Sequence, residues 1–177
     1  MRPYLSKIRL NPINTTMDRA ELDNKTTKAG VLYVDDEQNN LVSFKAALRR
    51  EFNVYTAIGA EQAEQYLTQE DLKVIISDQR MPDETGVEFF SRLKDSHQEP
   101  IRILLTGYSD MQSVVDAINK GEVYRYLTKP WDASDMISTI KQAIEIYDLR
   151  KENKRLMAEL KRVNGQLEFY LRQKLLS

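Results

Sequence analysis

At 177 residues the chain has room for one domain and an appendage. Its 26 Lys and Arg offset 27 Asp and Glu to a formal net charge of −1, which leaves no bulk electrostatic pull toward nucleic acid or an anionic membrane. There is no cysteine, hence no disulfide framework and no thiolate metal site, and no apolar run approaches the roughly 20 residues needed to cross a bilayer.

Residues 1–29 are polar, carry Asn11-Pro12 and two Thr pairs, and show neither strand nor helix periodicity. They are expected to form a poorly ordered extension, to which no function is assigned. No apolar stretch of the secretory type occurs near the start, so a cytoplasmic protein without membrane insertion is expected.

From Gly30 the pattern changes to short apolar runs alternating with amphipathic stretches. Val31 to Val34 reads as a buried strand ending in Asp35-Asp36-Glu37. Leu41, Phe44, Leu48 and Phe52 then recur at helical spacing, with Asn39 or Asn40 near the start. Asn53 to Ala57 is a second, half-polar strand, and Ala60, Ala63 and Leu67 mark a second helix. The third strand runs from Lys73 through Val74-Ile75-Ile76 to Asp78, apolar enough to be buried on both faces.

Pro82 to Gly86 is a loop, followed by a helix with Val87, Phe90 and Leu93 inward. Ile101 to Leu105 is the fourth strand, closing at Thr106-Gly107. The next helix spans about 110–119 with Met111, Val114, Val115 and Ile118 inward, and Val123 to Leu127 is the fifth strand. Five rounds of strand then helix predict an α/β fold with a parallel sheet covered on both faces.

Strands of a parallel sheet end on one edge, and ligands bind outside that edge. Asp35 and Asp36 follow the first strand, Asp78 ends the third, Thr106 the fourth, and Lys129 follows the fifth, so these side chains are expected to converge. Three carboxylates so close raise one another's pKa or demand a cation. A hard ion such as Mg²⁺, held by carboxylates and water, answers that demand. With Asp78 as nucleophile, Thr106 as hydroxyl donor and Lys129 as counter-charge, the set suits phosphoryl transfer.

VDDE at Val34 to Glu37, the Asp in VIISDQRMP, LTG at Leu105 to Gly107 and YLTKP at Tyr126 to Pro130 together resemble the receiver domain of two-component response regulators, over about 30–146. The resemblance implies a flavodoxin-like (βα)5 three-layer sandwich with strand order 2-1-3-4-5. It further implies that Asp78 accepts a phosphoryl group from a sensor histidine kinase or phosphotransfer protein, a signalling rather than an enzymatic role. Mg²⁺ would be ligated by Asp36, Asp78 and the Arg80 backbone carbonyl, and by Asp35 through water. Thr106 and Tyr126 would form the switch, and Lys129-Pro130 would be cis.

Other residues suit plainer roles. His97, the one histidine, reads as a solvated side chain, and Trp131 as packing beside the last helix. Tyr108 and Arg80 flank Asp78 and could shape water access to it. An aspartate-nucleophile phosphohydrolase of the haloacid dehalogenase type is the alternative reading of the acidic set. That family expects a second Asp two residues past the nucleophile, where this chain has Arg80.

After Ala133 the helical pattern continues to Ser177. Ile146, Asn153, Leu160, Leu167 and Lys174 fall at heptad a, and Leu149, Leu156, Val163 and Tyr170 at d, a coiled-coil seam. Asn153 at a, flanked by Leu at d, favours a parallel homodimer. Glu145 at g suits Arg150 at e of a second copy, and Gly165 falls at an exposed f position. Residues 147–177 are therefore expected to be a dimerisation helix. The rival readings are a helix folded back on its own domain and a DNA-binding zipper. The latter is disfavoured because basic residues are interspersed with Glu, so no direct nucleic-acid contact is expected. No output domain is visible, and the helical pattern reaches Leu175-Leu176-Ser177 without a Gly or Pro stop.

Overall fold

The apolar runs and amphipathic stretches take the expected order in the computed structural model, which describes residues 28–107, 111–119 and 122–176. The extension lies outside these residues except for its last two. The elements are β1 (Gly30–Val34), α1 (Gln38–Leu48), β2 (Asn53–Ala57), α2 (Ala60–Gln69), β3 (Leu72–Asp78), α3 (Gly86–Leu93), β4 (Ile101–Thr106), α4 (Met111–Asn119), β5 (Arg125–Thr128) and α5 (Ala133–Leu176). The five strands form one parallel sheet in the order β2-β1-β3-β4-β5, the flavodoxin-like arrangement.

Side chains alternate between the faces of a strand, and β1 divides the core accordingly. Val31 and Tyr33 join Leu41, Phe44 and Leu48 of α1 and Met136, Ile140 and Ala143 of α5 on one face. Leu32 and Val34 join Ala63 of α2, Phe89 and Phe90 of α3, and Val114 and Ala117 of α4 on the other. The central strands β1, β3 and β4 are buried almost throughout, which matches their Val, Ile and Leu content.

Several expectations are corrected locally. The fifth strand begins at Arg125, because Val123 is spent on the core beneath α4 before the ladder starts. On α4, Val115 is 41% exposed, and Ala117 takes the inward place expected for it. The side chain of Met111 lies outside the described residues. Phe52 is buried, but from the turn after α1 rather than from the helix. α1 starts at Gln38, so Asn39 and Asn40 do lie near its start, and the Asn40 side-chain amide is turned to the Asp35 carboxylate. Trp131 packs as expected into the cluster that α5 forms with α1, where it meets Phe44 edge-on at 5.6 Å between ring centroids.

Arg102 is an unexpected charge within buried β4. Its guanidinium reaches the end of α3 and donates to the carbonyls of Leu93 and His97, at 3.3 and 2.6 Å. A helix C-terminus leaves carbonyls without partners, and a cation is favoured there. Burial nevertheless pushes the guanidinium below its ordinary pKa.

The first turns of α5 are buried by the sheet as far as Tyr147. There the helix is held by ion pairs from Lys73 to Asp148 at 2.7 Å and from Lys154 to Glu99 at 3.0 Å. The ammonium groups of Lys73 and Lys151 each lie 5.6 Å from the Tyr147 ring. Beyond it Leu149, Leu156, Leu160, Val163 and Leu167 are all exposed. The helix therefore does not fold back on its own domain.

Gly86 marks a close backbone approach. A Cβ on Gly86, at the start of α3, would lie 2.3 Å from the Asp78 carbonyl oxygen and 2.6 Å from a Leu104 methyl. Backbone cannot retreat as a flexible side chain can. Gly86→Ala is therefore expected to destabilise the fold by about 1–3 kcal/mol, as overpacking does. Urea unfolding measures this, and a loss below about 0.5 kcal/mol would show that α3 is free to withdraw.

Candidate functional site

Parallel strands bring Asp35, Asp36, Asp78, Thr106 and Lys129 to the carboxyl edge of the sheet from four chain segments. Asp78 is the last residue of β3 and is 7% exposed. The Lys129 amide donates to the Thr106 carbonyl at 3.0 Å, which carries that lysine across from β5. Its ammonium lies 2.5 Å from Asp78 Oδ1 and 2.9 Å from Asp35 Oδ2. The Lys129-Pro130 peptide is cis, as expected.

Asp35 is surrounded by donors. Its carboxylate accepts the Tyr33 hydroxyl at 2.5 Å, the Glu37 amide at 2.9 Å and the Asn40 amide at 3.0 Å, besides Lys129. Burial alone would raise its pKa, but donation from Tyr33, Lys129, Glu37 and Asn40 outweighs this and holds the carboxyl below its ordinary value. Tyr33 is itself driven up, first by burial and then by its bond to Asp35, so it stays a neutral donor.

Asp78 has the opposite balance. Burial is the largest influence and pushes its carboxyl up, with the charge on Asp35 adding to the effect. Lys129 and the Arg80 amide, the latter 2.6 Å from Asp78 Oδ2, offset this only in part. Lys129 is raised although burial opposes its charge, because it faces two carboxylates. The outcome is a basic, poorly hydrated carboxylate beside a stable ammonium, a combination suited to nucleophilic attack on an electrophile of high negative charge.

The remaining residues stand around this pair. Asp36 is half-buried, and no hydrogen bond to it occurs among the described residues. Thr106 is buried at the end of β4, with its hydroxyl donating to the Gly107 carbonyl at 3.0 Å. Tyr126 is half-buried on β5 and packs on the α4 side of the sheet. His97 is half-buried at the far end of α3, away from the acidic set. Tyr108 lies outside the described residues. Among those described, no three carboxylates or imidazoles close on one point.

Sequence reasoning missed three participants. Tyr33 looked like a core residue of a strand, though the period of two places it on the same face as Asp35 and so signals the contact. Asn40 looked like a helix start. Gln79 followed Asp78 without any mark, yet it is 5% exposed and accepts a hydrogen bond from the start of α3.

Comparison with known proteins bears on this geometry. Residues 31–141 match the family model described as the response regulator receiver domain. The chain is 33% identical over 138 residues to the hydrogenase transcriptional regulatory protein HoxA of Bradyrhizobium diazoefficiens, covering 78% of this chain and 28% of that protein. It is 36% identical over 150 residues to HoxA of Cupriavidus necator, covering 85% of this chain and 31% of the relative. The chain thus spans less than a third of either relative's length. A signal receiver domain of an HD domain-containing protein from Pseudomonas fluorescens Pf-5 superposes with a TM-score of 0.66 at 32% identity, covering 72% of this chain and 94% of that one. A structure described as adenylate cyclase from Rhodopirellula baltica gives 0.71 at 30% identity, over 73% and 97%. The family match extends from β1 into α5, across the whole sheet and every strand end that carries the acidic set, and the chain belongs to the receiver domain family of response regulators.

Proposed function

We propose that this receiver accepts a phosphoryl group on Asp78 from a phosphohistidine of a sensor histidine kinase or phosphotransfer protein, and relays the change through α5. The observation that carries the reading is the Lys129 ammonium seated between Asp78 and Asp35. An Asp78 carboxylate oxygen attacks phosphorus as the bond to the donor imidazole nitrogen breaks. The electron pair stays on that nitrogen, which takes a proton from solvent. Lys129 then neutralises the charge gathered on the phosphoryl oxygens. In this role the receiver is a substrate of the kinase and a signal carrier, with Arg80 where a phosphohydrolase of the alternative type would need Asp.

The donor set fits Mg²⁺. Asp36, Asp78 and the Arg80 backbone carbonyl offer hard oxygens, and a mostly hydrated Mg²⁺ takes only one or two carboxylates. Asp35 already accepts four donors, which favours its acting through water. When bound, the ion would neutralise charge on the transferring group.

The switch follows from Thr106. Its hydroxyl is engaged with the Gly107 carbonyl and would turn to a phosphoryl oxygen on Asp78, with the Tyr126 ring moving after it. A tenfold population shift needs only about 1.4 kcal/mol of differential binding. For the output, we infer a parallel homodimer through Leu149, Asn153, Leu156, Leu160, Val163 and Leu167. An exposed apolar stripe of this length is supporting evidence, since monomeric proteins rarely leave large apolar patches open. At about 1.5 Å per residue, the 44-residue α5 is roughly 66 Å long, with both sheets at one end of the rod. The place we assign is the cytoplasm, where such kinases deliver phosphoryl groups. No described helix is long and apolar enough to cross a membrane. The HoxA relatives are named as transcriptional regulators, and we extend that output to this protein without direct nucleic-acid contact by the charge-balanced residues described.

Incubation with a small acyl phosphate and Mg²⁺ is expected to add one phosphoryl group, detected by intact mass. Asp78→Asn and metal chelation should each abolish the gain. Phosphorylation of the Asp78→Asn protein at the wild-type rate would refute the site.

Sedimentation tests the rod. Wild-type protein is expected to be dimeric at tens of micromolar, and the Leu156→Ala/Leu160→Ala protein monomeric but still phosphorylated. Asn153→Leu should tighten association while admitting higher oligomers, because the polar a position that penalises them is gone. A double variant that stays dimeric would disprove the seam.

A further inference from the structure

Gln79 stands between the proposed nucleophile and the residue whose carbonyl is a proposed metal ligand. It is polar and 5% exposed at a strand end, a position that requires a hydrogen-bond partner. Its main-chain oxygen accepts the Gly86 amide at 3.1 Å, and its side-chain Oε1 accepts the Val87 amide at 3.2 Å. Its own amide donates to the Leu105 carbonyl at 2.8 Å, tying it to β4.

The first amides of a helix have no partner within it. In α3 the first two are both taken by Gln79, and the third, of Glu88, by the Thr85 hydroxyl at 3.2 Å in a capping box. The loop 80–85 is therefore closed at its base by one residue. At the loop's other end, the Arg80 amide is fastened to Asp78 Oδ2. Because Gly86 has no Cβ, the helix start lies directly against the Asp78 carbonyl, with no side chain to absorb movement.

We propose that Gln79 is a positioning residue for the divalent cation. Its side-chain oxygen holds the first turn of α3 and so keeps residue 80, with its main-chain oxygen, in place beside Asp78. The inference rests on the phosphoryl-acceptor reading above. A ligand oxygen held in advance costs less to order on binding, and removing such supports typically weakens metal affinity 10- to 100-fold.

The test is Mg²⁺ binding to unphosphorylated protein by calorimetry. Gln79→Met keeps the length but removes the acceptor, and its Kd for Mg²⁺ is expected to rise about tenfold. Gln79→Glu keeps an acceptor oxygen and should bind no more weakly than wild type. Should Gln79→Met fold poorly in thermal unfolding, Gln79→Asn, whose carbonyl is withdrawn by one methylene, carries the same expectation.

A Gln79→Met protein that melts earlier but binds Mg²⁺ as wild type does would overturn the proposal and leave Gln79 a helix cap. Equal weakening by Gln79→Glu and Gln79→Met would overturn it too. Wild-type protein that binds no Mg²⁺ would sink the site reading and this inference together. Phosphorylation of wild type that is lost on chelation would uphold the site reading independently.

Discussion

The structure depends on one ammonium group being wanted by two carboxylates. Lys129 bridges Asp78 and Asp35, and with it the ends of three strands that share no local sequence. Burying like charges together is costly, and burying them around a cation reverses the sign only when the remaining lone pairs are also satisfied. Here they are satisfied unequally. Asp35 accepts Tyr33, Asn40 and the Glu37 amide, whereas Asp78 has only the Arg80 amide besides Lys129 among the contacts described. That inequality sets two adjacent acids apart, one held below the ordinary carboxylate pKa and the other pushed above it.

The same interaction reaches into the core. Tyr33 binds Asp35 from below, its ring stacks on Phe44 at 4.2 Å, and Phe44 meets Trp131 edge-on. Trp131 follows the Lys129-Pro130 peptide, so the aromatic cluster returns to the segment that carries the ammonium. α1 takes part as well, since Asn40 gives its amide to Asp35. The α1 side of the acidic pair is thus supported by packed side chains rather than by solvent.

α5 lives in two environments. Its first turns are a core element and its later turns are an uncovered rod, with the change made at Tyr147 between two lysines. Ion pairs to Lys73 and Glu99 fix the direction in which the helix leaves the sheet. Individually, such exposed pairs contribute little to stability. Their value is geometric, because a helix restrained at its root carries a small displacement of the domain to its far end.

Much of this was determined by the sequence alone. Apolar runs such as Val74-Ile75-Ile76, β-branched and too short for a core helix, favour buried strands, and their alternation with amphipathic stretches favours a parallel sheet with its carboxyl ends on one edge. The positions of Asp35, Asp78, Thr106 and Lys129 at those ends followed directly. Tertiary structure alone decided how the acids are differentiated and what supports them. Asn40 and Gln79 act through partners chosen by packing, and Arg102 lies inside a strand because the carbonyls at the end of α3 happen to face it. Periodicity records which face a residue takes, whereas the partner met on that face depends on how separate elements dock, and single-chain spacing holds no record of that.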